Sequence, residues 1–278
     1  MNVSRLIQES LLRLGGSSDT ARLDVEVLMA YSLGWQRTQL LTRNSQTLSP
    51  EQVDGIRHLI MRRANGEPVA YIVGEQEFWS LPLSVASSTL IPRPETEHLV
   101  EVALSHLPKD EIKSVLDLGT GSGAIALAIA SERPANRYTA VDFSEQALKI
   151  AAYNAEKLKI PGIRFQQSDW FSALNKQRFD LIVSNPPYIA SGDPHLRQGD
   201  VAAEPLSALV SGADGLDDIQ FICEQAKRHL HTAGWLMLEH GWTQAVRVRA
   251  ILTANGYQNI CSLVDFADIE RLTIAQLP

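Results

Sequence analysis

The sequence predicts an α/β fold: a sheet built from βαβ units, preceded by a small N-terminal helical bundle and a β-hairpin connector. Three observations predict it. From about Ile112 onward, short apolar strand patterns alternate with helical stripes. Before that, the first eighty or so residues carry helical periodicity and helix-start signals. Between the two patterns, Val69, Tyr71, Ile72, Val73, Phe78, Trp79, Leu81, Leu83 and Val85 favour short strands separated by Gly74 and Pro82.

In chain order, Ile7, Leu11 and Leu14 share one helical face, and Gly15 and Gly16 stop the pattern. Leu23, Val27, Leu28 and Tyr31 mark a second helix, with Asp19 as its cap. Ser49, Pro50 and Gln52 signal the start of a third, whose stripe is Val53, Ile56 and Ile60. The βαβ region then begins with Val115 and Leu116, a glycine loop and the helix Ala124 to Ala130. Tyr138 to Val141 is a second strand ending in Asp142, with Ser144 capping the next helix. Arg164 and Phe165 sit in a third strand before Asp169 and Trp170, and Phe179 to Val183 form a fourth ending at Asn185. Trp235 to Leu238 form a fifth, followed by a helix around Val246 to Leu252. Residues 260–264 and 272–275 close the chain as an antiparallel hairpin.

Composition narrows the function classes. The 278 residues are 45% hydrophobic and 21% charged, enough apolar material for a sizeable core. With 25 Lys+Arg against 32 Asp+Glu the net charge is −7, the wrong sign for gripping a phosphate backbone. The acidity lies mainly after residue 85, since the first 85 residues hold 8 basic and 9 acidic side chains. Arg62 and Arg63 are the one close basic pair of the N-terminal part and read as a solvated helix end. No apolar run suits a bilayer, and residues 1–14 lack signal-peptide character, so a soluble cytoplasmic protein without membrane partners is expected. Cys223 and Cys261 make no disulfide framework. His229 and His231 lack a third partner and the other histidines are scattered, so no catalytic metal is expected.

Gly119, Thr120, Gly121, Ser122 and Gly123 join a strand to a helix, where missing side chains and exposed helix N–H groups admit a nucleotide-like ligand. With Ala124 the loop also fits a dinucleotide fingerprint, so alone it does not separate a nicotinamide from an adenosyl cofactor. Asp142, 23 residues after Gly119, can accept both ribose hydroxyls. Asp169 can take an adenine amino group and Trp170 can line the base. All three features stand at the carboxyl ends of successive strands, the edge where open α/β sheets bind ligands.

Asn185, Pro186, Pro187 and Tyr188 choose the chemistry. Two prolines stiffen the turn and remove two donors, leaving acceptors beside an amide and a phenol. The Asn185 side-chain oxygen and the Pro186 carbonyl can each accept one N–H of a planar, delocalised substrate NH₂. They thereby favour a pyramidal nitrogen whose lone pair faces an electrophile. Tyr188 can stack on the planar group. The electrophile required is an activated methyl, as in the sulfonium of S-adenosylmethionine.

These residues resemble the class I S-adenosylmethionine-dependent methyltransferases, specifically the N5-glutamine methyltransferase family that modifies peptide chain release factors. The likeness extends over nearly the whole chain. It includes Phe78 and Trp79, the stretch Leu90, Ile91, Pro92, Arg93, Pro94, Glu95, Thr96, Glu97, then Glu204, Pro205, Ala208, Leu209, and Asp214, Gly215, Leu216. The resemblance implies a Rossmann-like seven-stranded sheet with strand four beside strand one. It implies an N-terminal substrate-recognition domain over residues 1–68, a connector over 69–91 and a catalytic domain over 92–278. It assigns Gly119 to Gly123 to the methionine part of the cofactor, Asp142 to its ribose and Trp170 to its adenine side. Asn185, Pro186, Pro187 and Tyr188 would bind the glutamine amide, and Arg93 and Glu97 would order the entrance. Ala267 and Ile269, within residues 265–271, depart from the family pattern.

The implied reaction is methyl transfer to the glutamine of the Gly-Gly-Gln motif in class 1 release factors, without direct nucleic-acid binding. Three other readings stand beside it: N6-methylation of nucleic-acid adenine, which shares the acceptor turn and flips its base; N5-glutamine methylation of a ribosomal protein; and a cofactor-sensing adaptor for which Asn185 would be dispensable.

Overall fold

The structure is a computed structural model and describes residues 1–16, 18–265 and 267–278. The chain forms two compact units, one of residues 1–75 with 194–203 and one of residues 76–193 with 204–278.

The first unit packs α1 (Val3–Leu14), α2 (Ala21–Leu33), α3 (Arg37–Thr42), α4 (Pro50–Ala64) and α5 (Val69–Val73) around one apolar core. Helix α4 starts as its sequence dictates: Gln52 N–H donates to Ser49 Oγ at 3.3 Å, and Ser49 N–H donates to Gln52 Oε1 at 2.9 Å. Val53, Ile56 and Ile60 are buried as expected.

The stripes of the first two helices are rotated from the expected ones. Helix α1 buries Val3, Leu6, Ser10 and Leu14, with Ile7 and Leu11 half-buried. Helix α2 buries Val25, Leu28 and Met29, while Leu23 and Tyr31 are exposed. In α2 the reason is Asp24, which also faces inward. It accepts from Ser18 Oγ at 2.8 Å, Thr20 Oγ1 at 2.9 Å and Arg63 Nε at 2.7 Å. An apolar count cannot see a core face that carries a charge. Thr20, not Asp19, occupies the N-cap.

Arg63 is therefore no solvated helix end. It is 8% exposed and also donates to Asp200 at 2.6 Å, while Arg62 pairs with Glu67 at 2.5 Å. The strand reading of residues 69–73 also fails. Pro68 enters the turn, Gly74 closes it at φ 78°, and packing of Ile72 into the helical core overrides the β-branched propensity.

The connector hairpin is thus shorter than expected, β1 (Glu75–Phe78) and β2 (Leu81–Ser84). Its two-residue turn holds Trp79 at φ 53° and Ser80 at φ 59°, the left-handed pair that matches strand twist.

The rest of the second unit runs α6 (Thr96–Ser105), β3 (Ser114–Leu118), α7 (Ala124–Glu132), β4 (Arg137–Asp142), α8 (Glu145–Lys157), β5 (Ile163–Gln167), β6 (Phe179–Ser184), α9 (Asp217–Ala226), β7 (Leu230–Glu239), α10 (Ala245–Ala254), β8 (Gln258–Val264) and β9 (Glu270–Gln276). The sheet order is β5-β4-β3-β6-β7-β9-β8, with β9 antiparallel to both its neighbours and the other pairings parallel. Apolar side chains fill both faces. Val115, Leu181, Val183 and Met237 pack on one side with α6 and α7, and Leu116, Ile182, Leu236 and Leu238 on the other with α9 and α10.

The chain reverses direction across the sheet between β3 and β6, the switch point at which such sheets open a crevice. The predicted terminal hairpin is present as β8 and β9. Asp265 accepts from the N–H groups of Ala267 and Ile269 at 2.8 and 3.1 Å, so the two atypical residues are held through their backbone. Phe266 lies outside the described residues.

Candidate active site

Five strand ends meet at the carboxyl edge of the sheet. Leu118 pairs with Val141 on one side and Ser184 on the other, which sets Gly119, Asp142 and Asn185 side by side. Ser184 Oγ donates to the Leu118 carbonyl at 2.7 Å and locks β3 to β6 at this edge.

The glycine loop is held from within. Gly119 and Thr120 N–H both donate to the Val141 carbonyl at 2.9 Å, Gly121 N–H to Asp142 Oδ2 at 2.8 Å, and Gly123 N–H to the Thr120 carbonyl at 2.8 Å. These four N–H groups therefore serve the protein, and what the glycines offer a ligand is shape rather than the donors expected from sequence. Gly119 and Gly121 stand at φ 71° and 56°, and a Cβ on Gly121 would meet no protein atom within 4 Å. A Cβ on Gly123 would lie 3.0 Å from Leu127 Cδ1 and 3.2 Å from Ala151 Cβ, so that glycine serves close packing of the helix start.

One cavity brings together Gly119, Gly121, Asp142, Asp169, Trp170, Asn185 and Pro187. Thr120, Ser122 and Gly123 do not line it. Thr120 turns inward and donates to Asp117 Oδ2 at 2.6 Å, and the Ser122 carbonyl accepts from Asn154 Nδ2 at 2.9 Å. Asn154 also bonds both backbone groups of Ser84, tying the hairpin to the loop. Pro186 is buried, and Tyr188 is half-buried behind the cavity wall. Burial raises the Tyr188 phenol, with the charge of Glu239 adding to the shift, so it stays neutral at ordinary pH.

The two acids nearest the loop differ in environment. Asp142 accepts from Gly121 N–H through Oδ2 and from Ser144 N–H through Oδ1, both at 2.8 Å, and burial raises its carboxyl above the ordinary range against those bonds. Asp117 is fully enclosed. Burial pushes its carboxyl up to about 7, against bonds from Thr120 Oγ1 and Ala126 N–H, and its Oδ1 has no partner.

Sequence reasoning missed Phe143, 71% exposed at the cavity, and the side chains behind Asn185. Asn185 Nδ2 donates to Thr96 Oγ1 at 3.2 Å, so the stretch from Ile91 to Glu97 reaches the site through Thr96. Two of its three charged residues do structural work: Arg93 pairs with Glu204 at 2.5 Å, and Glu97 Oε1 accepts from Trp79 N–H at 2.7 Å in the hairpin turn. Among the described residues, no group of three His, Cys, Asp or Glu could hold a metal ion, and no helix is long and apolar enough to cross a membrane.

Residues 5–74 match the family described as the PrmC N-terminal domain, and residues 97–202 match the methyltransferase small domain. Several curated relatives span nearly the whole chain. The release factor glutamine methyltransferase of Shewanella oneidensis is 48% identical over 274 residues, covering 99% of this chain and 96% of that one. The protein of the same name from Escherichia coli is 47% identical over 276 residues and 99% of each chain. That of Pseudomonas aeruginosa is 52% identical over 259 residues, 93% of this chain and 94% of that one.

Two solved structures share the fold. A methyltransferase from Pyrococcus furiosus superposes with a TM-score of 0.54 at 17% identity, over 78% of this chain and 96% of its own. A T. thermophilus 16S rRNA methyltransferase in complex with AdoMet and guanosine gives 0.52 at 20% identity, over 73% of this chain and 50% of its own. Identity near one half across the full length, joined to both domain matches, fixes the assignment: the chain belongs to the release factor glutamine methyltransferase family.

Proposed function

We propose that this protein transfers the methyl group of S-adenosylmethionine to the side-chain amide nitrogen of the glutamine in the Gly-Gly-Gln motif of class 1 release factors. The observation that carries the proposal is the single cavity in which the Asn185 and Pro187 side of the acceptor turn faces the Gly119, Gly121 and Asp142 side of the loop.

The residues present fit the cofactor. Each Asp142 oxygen accepts one backbone N–H and keeps a lone pair for a ribose hydroxyl. The side-chain-free face of Gly121 leaves room for a chain passing the loop. Trp170, whose ring stands 3.7 Å from a Cβ position on Gly119, together with Phe143 provides apolar walls for the base, and Asp169 an acceptor at its edge. Thr120, Ser122 and Gly123 contribute by shaping this loop. When bound, the cofactor supplies a methyl on a sulfonium, an electrophile strong enough to need no metal.

The protein's own residues then prepare the nitrogen. An amide NH₂ is a poor nucleophile because its lone pair is delocalised into the carbonyl. With its nitrogen engaged by Thr96, Asn185 presents Oδ1 as an acceptor, and the Pro186 carbonyl is the second. Two acceptors placed for the two N–H groups orient the amide and favour the pyramidal, positively charged nitrogen of the transition state. Pro187 and Tyr188 keep this turn rigid and dry.

The helical unit of residues 1–75 recognises the release factor away from its reacting loop. A nucleic-acid substrate is disfavoured because the only basic pair of residues 1–68 is neutralised, Arg62 by Glu67 and Arg63 by Asp24 and Asp200.

The test is transfer of label from methyl-labelled cofactor to purified class 1 release factor, ribosomal protein and duplex DNA in parallel. Labelling of one release-factor glutamine alone is the expected result. Label on another substrate and none on that glutamine overturns the proposal.

A further inference from the structure

Strand β7 ends in Glu239, a carboxyl group that the reaction outlined above leaves without a role. It is 4% exposed, and its Oε2 is buried with no hydrogen-bond partner. Leaving such a group inside a protein costs stability that an apolar residue of the same size would not. Its place in the fold suggests what offsets that cost. Ser184 pairs with Leu238 across β6 and β7, so Asn185 and Glu239 leave the sheet side by side.

The side chains of Thr96 and Asn185 hold the Glu239 carboxyl down against the effect of burial, and Asn185 Nδ2 donates to Thr96 Oγ1 at 3.2 Å. A carboxylate accepts and does not donate, whereas an amide has one end of each kind. Facing Glu239, the Asn185 amide must turn its nitrogen inward and its oxygen toward the cavity. The Thr96 hydroxyl accepts from Nδ2, which leaves its own O–H free to turn toward the carboxylate, so this rotation of the amide sets donors rather than a second oxygen against Glu239. The opposite rotation would set two oxygens against each other and point donors at a substrate that brings only donors.

We propose that Glu239, acting with Thr96, is a positioning residue that fixes the rotation of the Asn185 amide so that Oδ1 faces the substrate nitrogen. The inference rests on the acceptor role given to Asn185 above and adds the reason that the acceptor is always the oxygen.

The arrangement depends on the charge of Glu239. Burial pushes its carboxyl up to about 7, opposed by the Thr96 bond and the charge of Arg271, raised further by Glu95, and opposed again by Asn185. The Tyr188 phenol also faces it, and His240, next in the chain, has its pKa lowered by burial; both stay neutral there. Once protonated, Glu239 can donate to an amide oxygen, and the flipped rotation of Asn185 becomes available. Turnover should therefore be full above this range and fall as the pH drops through it.

The experiment measures kcat and KM against pH for the full-length protein with class 1 release factor, comparing the wild type with Glu239→Gln, Thr96→Val, Asn185→Ala and the two double variants with Asn185→Ala. Glu239→Gln and Thr96→Val should each lower kcat by about tenfold or more, with KM for release factor and cofactor affinity within about twofold. Glu239→Gln should also lose the decline of kcat through the region near pH 7, and neither substitution should lower the residual rate of Asn185→Ala further. Wild-type kcat and pH profile in Glu239→Gln, or losses that multiply in the Asn185→Ala background, would overturn the inference. Thr96→Val carries the same comparison if the glutamine variant does not fold. Full activity in Asn185→Ala alone would instead remove the reading on which the inference stands.

Discussion

The carbonyl oxygen of Tyr188 accepts the Gln244 side-chain amide at 3.0 Å, and the same oxygen would lie 2.2 Å from a Cβ placed on Gly215. The acceptor turn is thus clasped from behind by the loop of Asp214, Gly215 and Leu216, where Gly215 sits at φ 77° and Asp214 pairs with Arg247. Gly215→Ala should force these backbones apart, costing about 1–3 kcal/mol of stability by overpacking and displacing Asn185 and Pro186. Thermal melting and methyl transfer should both fall, with cofactor affinity less affected than transfer.

Asn185→Ala removes one of the two acceptors while leaving Gly119, Gly121 and Asp142 in place. Transfer to release factor should drop by about 10²-fold or more. Cofactor binding measured by calorimetry should stay within a few-fold of the wild type, since the ribose and loop contacts do not pass through this residue.

Asp142→Asn tests the other wall of the cavity. The substitution keeps the shape but weakens acceptance from Gly121 N–H, Ser144 N–H and the ribose hydroxyls, each a bond to a charged group worth about 1.5–3 kcal/mol. Cofactor dissociation constants should rise by at least tenfold, and saturating cofactor should recover most of the turnover.

The enclosed Asp117 carboxyl gives a pH signature of stability. Its folded pKa of about 7 lies above the unfolded value of 3.8, so between those limits the folded state binds the extra proton. Its contribution is present at low pH and is lost as the pH rises through about 7, at up to about 1.4 kcal/mol per unit. In cofactor-free protein, Asp117→Asn should gain in urea midpoint relative to the wild type from pH 4 to pH 7 and level off above. A constant difference across that range would contradict the assignment.

Much of this site is legible in the sequence because its residues terminate buried strands. Asp142 and Asn185 each follow an apolar run, and the rule that ligands gather at the carboxyl edge places them together before any coordinates exist. Glu239 ends β7 in the same way and could have been found by the same signal. Thr96 could not, because it stands at the start of a helix hidden behind Pro92 and Pro94, and only tertiary packing brings it to Asn185. The errors in the helical unit share one cause. Asp24 and Arg63 are buried as a pair, and Ile72 joins a helical core, so packing decides what periodicity and propensity alone assign elsewhere. The loop donors are the converse case: sequence identifies the glycines, but only the register with β4 shows that the N–H groups of Gly119 and Gly121 are already engaged by Val141 and Asp142.

The most direct test is a crystal structure of the protein with demethylated cofactor and a peptide carrying the Gly-Gly-Gln motif. The glutamine amide nitrogen should lie about 3 Å from both Asn185 Oδ1 and the Pro186 carbonyl, with its free face toward the cofactor sulfur. A glutamine bound elsewhere, or an Asn185 oxygen turned away from the cavity, would contradict the account.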